Sequence, residues 1–345
     1  MPDPTTDRTA DRPPRRAPVR VWVKALALAL LAAVLLRVFV AEAFRIPTSS
    51  MEESLLVGDF LLVSKLHYGP RTPVTLGLPF TDRHLPGLEF PAYRLPGFSP
   101  IRRGDVVVFN HPPEEGPVDQ KTPYLKRVAG LPGDTVALVR KELRVNGAPV
   151  PLADGQQQDW VVRLRPRSEA PARMLETATG TDAERLGLHE WRVTATASEA
   201  AALRRRPDVV RVEPARLEGR ERTYPAGLRQ TLDDYGPVVV PARGRTVRLD
   251  AETWRLYRDV ITRYEGHTAR PSGDTYEIDG RLTDRYTFGQ DYYFVLGDNR
   301  DASSDSRRWG FVPDDHLVGK AVLVYFSWDA EQERVRAERL FRPVE

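Results

Sequence analysis

Residues 124–147 read YLKRVAGLPGDTVALVRKELRVNG. YLKRVAG (124–130) and DTVALVRKELRVNG (134–147) are short Val- and Leu-rich runs bounded by Gly, Pro, Asp and Asn, the punctuation of β-strands. LRVNGAPV carries the Asn-Gly signal of a tight hairpin. Working outward, FLLVSKL (60–66), GDVVVFN (104–110), DYYFVLGDN (291–299) and GKAVLVYFSW (319–328) have the same texture. The expected fold is mostly β, an antiparallel sheet or barrel core built from residues 44–150 and 285–345. AEQERVRAERLF (330–341) reads as a short terminal helix.

Residues 151–284 differ and read as an inserted small α+β subdomain. WVVRLRPR (160–167) is a strand and DAERLGL (182–188) a short helix, while 191–217 reads strand, helix, strand. In LDAETWRLYRDVITRYEG (249–266), Asp250 precedes apolar residues at helical spacing, as an N-cap would. Residues 69–99 form a Pro-rich connection too long and too apolar for an ordinary solvent loop. Phe80, Leu85, Leu88, Phe90, Tyr93, Leu95 and Phe98 fit either packing on the core or dipping into a membrane interface.

The chain has 345 residues, a net charge of +3 and no cysteine. The missing cysteine excludes disulfides, Cys-ligated zinc, iron–sulfur clusters and thiol catalysis. The basic excess is spread along the chain, so no nucleic-acid partner is expected. Six lysines stand against forty-five arginines. Lysine loses its proton when buried and arginine in practice does not, so the few lysines merit individual reading.

Residues 1–24 carry six basic groups (Arg8, Arg12, Arg15, Arg16, Arg20, Lys24) and read as a disordered tail. ALALALLAAVLL (25–36), extended through Ala43 with Arg37 snorkelling, reads as a single membrane anchor at 25–43. The basic flank before it sets the N-terminus in the cytoplasm and everything after residue 44 outside. Two other readings stay open. The order basic, apolar, then Ala-Glu-Ala at 41–43 also fits a cleaved export signal, and a buried soluble helix fits the apolar run alone.

For chemistry, none of the six histidines sits in HExxH or at metal-ligand spacing, so no metal or other cofactor is expected. No GxSxG elbow surrounds a serine. A Ser–Lys arrangement needs less, because a buried lysine amine near neutrality can serve as base to a serine. Lys126, flanked by Leu125 and Val128, is the best-placed candidate; a surface strand lysine is the plainer reading. SSMEES (49–54) is ambiguous by itself. Ser50 and Glu53 have the form of a helix capping box, and Ser50 equally has the form of a nucleophile.

FRIPTSSMEESLLVGDFLLVSK (44–65), RRGDVVVFN (102–110), YLKRVAGLPGD (124–134) and LGDNRDASSDSRRWGFVP (296–313), in that order behind an N-terminal anchor, resemble the boxes of bacterial signal peptidase I. YGPVVVPARG (235–244) is similar to an insert in some branches of that family. The resemblance implies a membrane-bound serine endopeptidase with Ser50 as nucleophile and Lys126 as general base. It implies that Thr48 and the Ser50 N–H hold the oxyanion and that Ser303 orients the lysine. Asp305 and Arg307 would be a supporting ion pair, and Met51, Ile46 and Pro47 would line the substrate pocket.

The implied partners are signal-peptide-bearing preproteins, cut after an A-x-A-like motif, and the lipid bilayer of the plasma membrane. Two positions depart from the family: Glu53 stands where Pro is usual, and Ser49 where Gly is frequent. The first removes a fixed φ and puts a carboxylate near the site. A nucleophile at a capped helix start would gain from the helix dipole, so the two readings of SSMEES are compatible. Two rivals remain: a silent relative that binds exported proteins, and a Ser/Lys peptidase with a dedicated substrate, self-cleavage near Ala43 included.

Overall fold

The structure is a computed structural model that describes residues 19–77, 84–166, 168, 171–216 and 221–344. Phe80 of the apolar connection and Arg8, Arg12, Arg15 and Arg16 of the tail lie outside the described residues.

Helix α1 (Val19–Leu35) continues through a wider turn, Leu36–Val40, into strand β1 (Ala41–Arg45). Among the described residues, Val19–Val40 is the one helix long and apolar enough to cross a membrane, with 22 residues and mean hydropathy 2.4. At 1.5 Å per residue it spans about 33 Å, against roughly 30 Å of hydrocarbon. It starts before the apolar run at 25 because Val19, Val21, Trp22 and Val23 extend the exposed apolar surface. It stops short of Ala43 because the backbone turns extended at Ala41.

The chain then makes a single 3-10 turn, Ser49–Met51, and strands β2 (Asp59–Ser64), β3 (Val106–Asn110) and β4 (Pro123–Gly130). Hairpin β5 (Thr135–Val139) and β6 (Glu142–Val145) follows, then β7 (Gln157–Leu164), α2 (Pro171–Thr179), β8 (Glu190–Thr196), α3 (Ala197–Arg204) and β9 (Val209–Pro214). The last part holds β10 (Tyr235–Val239), α4 (Ala251–Asp259), β11 (Tyr292–Leu296), α5 (Ser306–Trp309) and the long β12 (Leu317–Asp329).

The fold is mostly antiparallel β. The largest sheet has the order β1-β2-β12-β3-β4-β11, with the short strand Val312–Pro313 beyond β11. β3 explains the unbroken VVVFN run. Val106 and Val108 pack with Ile46, Met51, Leu55 and Leu61, while Val107 and Phe109 pack with Tyr68, Val128, Val295 and Leu317. A strand buried on both faces needs no polar alternation.

A second sheet, β10-β5-β6 with Ala148–Val150, encloses the largest apolar cluster, which includes Val136, Tyr235, Phe288, Phe294 and Phe311. Helix α4 adds Trp254, Leu256 and Tyr257, and Asp250 caps it by accepting the N–H groups of Glu252 and Thr253. A third sheet orders Glu184–Arg185, β8, β7 and β9, with α2 and α3 supplying Leu175 and Leu203 to a separate core around Trp160, Val162 and Val193. The strand–helix–strand reading of 191–217 is found there, with a capping box of Thr196 and Glu199 starting α3. Residues 151–284 thus feed two different cores.

Two local expectations fail. Residues 182–188 are not helical: Glu184–Arg185 pairs with Arg192 and Trp191 of β8, and the helix lies earlier, opening on Pro171. Pro at a first helical position is favourable because its missing N–H has no partner there anyway. Residues 330–341 are not a helix either. Arg334–Val335 and Arg342–Pro343 pair with β12, and the 3-10 turn Ala337–Arg339 delivers Arg339 to the buried Asp59 at 3.0 Å. Completing the sheet and pairing a buried carboxylate outweigh helix propensity over so short a stretch.

Candidate active site

The 3-10 turn Ser49–Met51 is placed by its own core side chain. Met51 is buried among Ile46, Leu55, Leu61 and Val106, and its Sδ accepts the Asp298 N–H at 3.4 Å. From the other side, Asn299 grips the turn: its backbone N–H donates to the Ser50 carbonyl at 3.1 Å and its Nδ2 to the Ser49 carbonyl at 3.3 Å. Thr48 is the N-cap residue but its side chain makes no cap hydrogen bond. The first N–H groups of such a turn have no intrahelical acceptor.

The capping box expected of Ser50 and Glu53 does not form. Glu52 is extended at ψ 150° and Glu53 is left-handed at φ 73°, so the helical backbone ends at Met51 and Glu53 is not on a helical turn that Ser50 could cap. The Ser50 hydroxyl is taken instead by Lys126, whose Nζ donates to Ser50 Oγ at 2.7 Å across seventy-six residues of sequence. The same Nζ donates to the Leu125 carbonyl at 2.9 Å and lies 5.8 Å from the centre of the Tyr124 ring.

Lys126 is only 4% exposed. Burial pushes its amine down from the usual lysine range to about 8, against the pull of Asp305 and Asp298, which favour the charged form. That pull is blunted because each carboxylate already has an arginine. Asp305 takes Arg307 Nε at 2.9 Å and Nη2 at 2.8 Å, and Asp298 takes Arg127 Nε at 2.8 Å and Nη2 at 2.7 Å. Burial pushes the Asp305 carboxyl up, but Arg307 and the hydrogen bonds it receives outweigh this and hold it low.

Ser303 is buried beside Asp305. Its approach depends on Gly297: a Cβ there would lie 2.2 Å from Ser303 Oγ and 2.7 Å from the Ser50 carbonyl oxygen. Any side chain at 297 would therefore push apart the loop and the turn it holds.

Ser50 and Lys126 meet. Asp305, paired with Arg307, acts on the Lys126 amine through its charge. Ser303 is buried, but its Oγ makes no hydrogen bond to Lys126, and Thr48 sits exposed two residues before Ser50. Of the three residues assigned to a pocket, Ile46 and Met51 are buried in the core and Pro47 is exposed. Asp298 and Asn299 were not singled out from sequence, although both lie in the quoted LGDN stretch. Ala41–Ala43 lies inside β1, with Ala43 opposite Leu62, so one edge of the backbone at that site is paired with β2. Among the described residues no group of three His, Asp or Glu side chains is arranged to hold a metal ion.

The sequence profile of the family described as signal peptidase, peptidase S26, matches residues 19–196 and 244–328. Signal peptidase I of Pseudomonas aeruginosa is 29% identical over 307 residues, covering 85% of this chain and 68% of that one. Signal peptidase I of Helicobacter pylori is 27% identical over 331 residues, covering 90% and 88%. That of Buchnera aphidicola from Schizaphis graminum is 24% identical over 300 residues, covering 86% and 72%.

The burial of Lys126 carries a stability cost that can be measured. A folded-state value near 8 against an ordinary 10.5 means that the unfolded chain holds a proton between those pH values that the folded chain does not. Stability from this group therefore rises as pH increases from 8 to 10.5, and below 8 the folded state bears a cost of about 3 kcal/mol. Lys126→Met should raise unfolding stability in urea at pH 7, and its advantage should shrink by pH 10. Equal or lower stability at pH 7 would show that the ammonium is not penalised by its surroundings.

Proposed function

We propose a Ser50–Lys126 dyad as the working centre of this chain, which belongs to the signal peptidase family, peptidase S26. As a member it is a serine endopeptidase that removes signal peptides. The observation that carries the dyad reading is the 2.7 Å contact between Ser50 Oγ and a lysine amine almost sealed from water.

In the neutral form, Lys126 accepts the Ser50 proton as the hydroxyl attacks the scissile carbonyl. The Leu125 carbonyl keeps one amine hydrogen engaged, which orients the lone pair toward Ser50. The oxyanion forms beside the Ser50 N–H and the Thr48 hydroxyl, neither of which is spent on capping the turn. Lys126 then protonates the leaving amine, and a water activated by the same group releases the acyl-enzyme. Ser303, to which the resemblance assigns the orienting of the amine, is buried between Gly297 and Asp305 without a hydrogen bond to Lys126.

Strand β1 is the edge of the largest sheet and leads directly to Ile46–Thr48. A precursor strand adding there gains backbone hydrogen bonds, and small side chains one and three residues before the cut fit the A-x-A pattern. Residues 44–150 and 285–345 act as one catalytic unit with 151–284 inserted. Val19–Val40 anchors the chain in the plasma membrane with its N-terminus cytoplasmic and the dyad outside. Phe90, Tyr93, Leu95 and Phe98 are exposed and dip into the membrane interface.

Mass spectrometry of a signal-peptide-bearing precursor incubated in detergent is expected to show one cut after an A-x-A site with the wild-type chain and none with Ser50→Ala. Activity is expected to rise with pH up to about 8, since the neutral amine is lost as pH falls through that value. Cleavage by Ser50→Ala would reject the dyad, and an absence of cleavage by folded wild type would favour a silent relative.

Phe90→Ser with Phe98→Ser is expected to slow cleavage of a precursor embedded in vesicles while sparing a short soluble peptide. Equal slowing of both would reject the interfacial role.

A further inference from the structure

Lys141 occupies an unusual backbone position. The β5–β6 turn sets Arg140 at φ 51° and Lys141 at φ 70°, two consecutive left-handed residues that are not glycine. Such conformations are sterically disfavoured and persist where the surroundings hold them. Here both amides are held. Arg140 N–H donates to Asp234 Oδ1 at 2.8 Å and Lys141 N–H to the Asp233 carbonyl at 2.8 Å.

The turn carries the Lys141 side chain into the interior, where it is 5% exposed. Its Nζ donates to Asp301 Oδ1 at 2.6 Å and lies 3.7 Å from Asp233 Oδ1. The second oxygen of Asp301 accepts the Asp159 N–H at 2.7 Å, from β7. The start of that strand is stitched to the same loop. Gln157 N–H donates to the Asp298 carbonyl at 2.9 Å, and Arg300 N–H donates to the Gln157 carbonyl at 2.9 Å. Gln156 Nε2 donates to Asp298 Oδ1 at 3.2 Å, and Gln156 Oε1 accepts from Arg300 Nη2 at 3.0 Å. On its inner side this loop holds Ser49 and Ser50 through Asn299 and leads to Ser303.

We propose that Lys141, acting through Asp301, is a positioning residue for the Ser50–Lys126 pair, with Gln156–Asp159 completing the same clamp. The proposal rests on the dyad reading above. None of these groups touches a reacting atom. Lys141 acts by fixing the outer face of loop 298–303, so that Asn299 stays against the turn carrying Ser50 and Asp298 keeps its place near the Lys126 amine. It also gives residues 156–159 a task that their sequence did not announce: they tie the third sheet to the catalytic loop.

A merely structural ion pair would lower stability without changing the titration of the dyad, so the discriminating readout is the pH profile of kcat/KM. Full-length chain in detergent is assayed on a signal-peptide-bearing precursor with Lys141→Met, Lys141→Arg and the double variant Lys141→Met/Asp301→Asn. The double variant removes both charges of the 2.6 Å pair together, leaving Asp233 as the one carboxylate near the lost ammonium, and decides the matter if Lys141→Met does not fold.

For the folded fraction, Lys141→Met and the double variant are expected to lose kcat/KM by about tenfold or more, as small misplacements in active sites do. Their rising limb should move up by about half a pH unit, because a loosened loop lets water reach the Lys126 amine. Lys141→Arg should keep the wild-type limb. An unchanged limb, with activity falling only in step with the folded fraction, would overturn the proposal. Ser50→Ala serves as the control. If it cleaves, the dyad reading fails; if it is inactive while the limb stays fixed, only the role of Lys141 fails.

Discussion

One lysine amine held out of water against one serine hydroxyl is the constraint around which the site is arranged. A strand lysine would ordinarily turn its ammonium to solvent. Lys126 is instead enclosed, and its lost hydration is the largest influence on its titration. Two carboxylates lie near enough to oppose this. Their effect is contained because Arg307 and Arg127 each take one of them through paired hydrogen bonds. Without those arginines, the acids would draw the proton back onto the amine. The ion pairs therefore bear on the titration of the amine as well as on the fold.

The sheet order brings the parts together. β2, β12, β3, β4 and β11 are neighbours in space although they come from both ends of the chain. Lys126 lies on β4, and the loop leaving β11 passes over the turn that carries Ser50. Gly297 lets that loop approach closely enough for Asn299 to hold the Ser50 carbonyl. The Lys141 turn and the start of β7 press on the same loop from outside. Residues 156–159 are thus tied through hydrogen bonds to the loop that grips Ser50.

Much of this was legible in the sequence. The strands were readable because their apolar runs are short and bounded by turn residues, and β3 because burial on both faces leaves no polar alternation. Ser50 and Lys126 were open candidates from local reading, the resemblance of four boxes in order added Ser303, Asp305 and Arg307, and the structure brings Ser50 and Lys126 together. Local pattern misled at SSMEES, where a capping box was possible by letters but Lys126 took the hydroxyl and Glu53 turned left-handed. It misled again at 330–341, where pairing to β12 and the pull of Asp59 on Arg339 are long-range effects. Helix α2 was missed because it buries only Leu175 and Thr179. The burial of Lys141 has no sequence signal, since it follows from two left-handed residues that are neither Gly nor Asn.

The most direct measurement is the titration of Lys126 itself. With six lysines in the chain, 13C labelling at Cε and comparison with Lys126→Met assigns its resonance. The account predicts a midpoint at about 8 in the folded chain in detergent. A midpoint above about 10, in the range of ordinary solvated lysines, would contradict it.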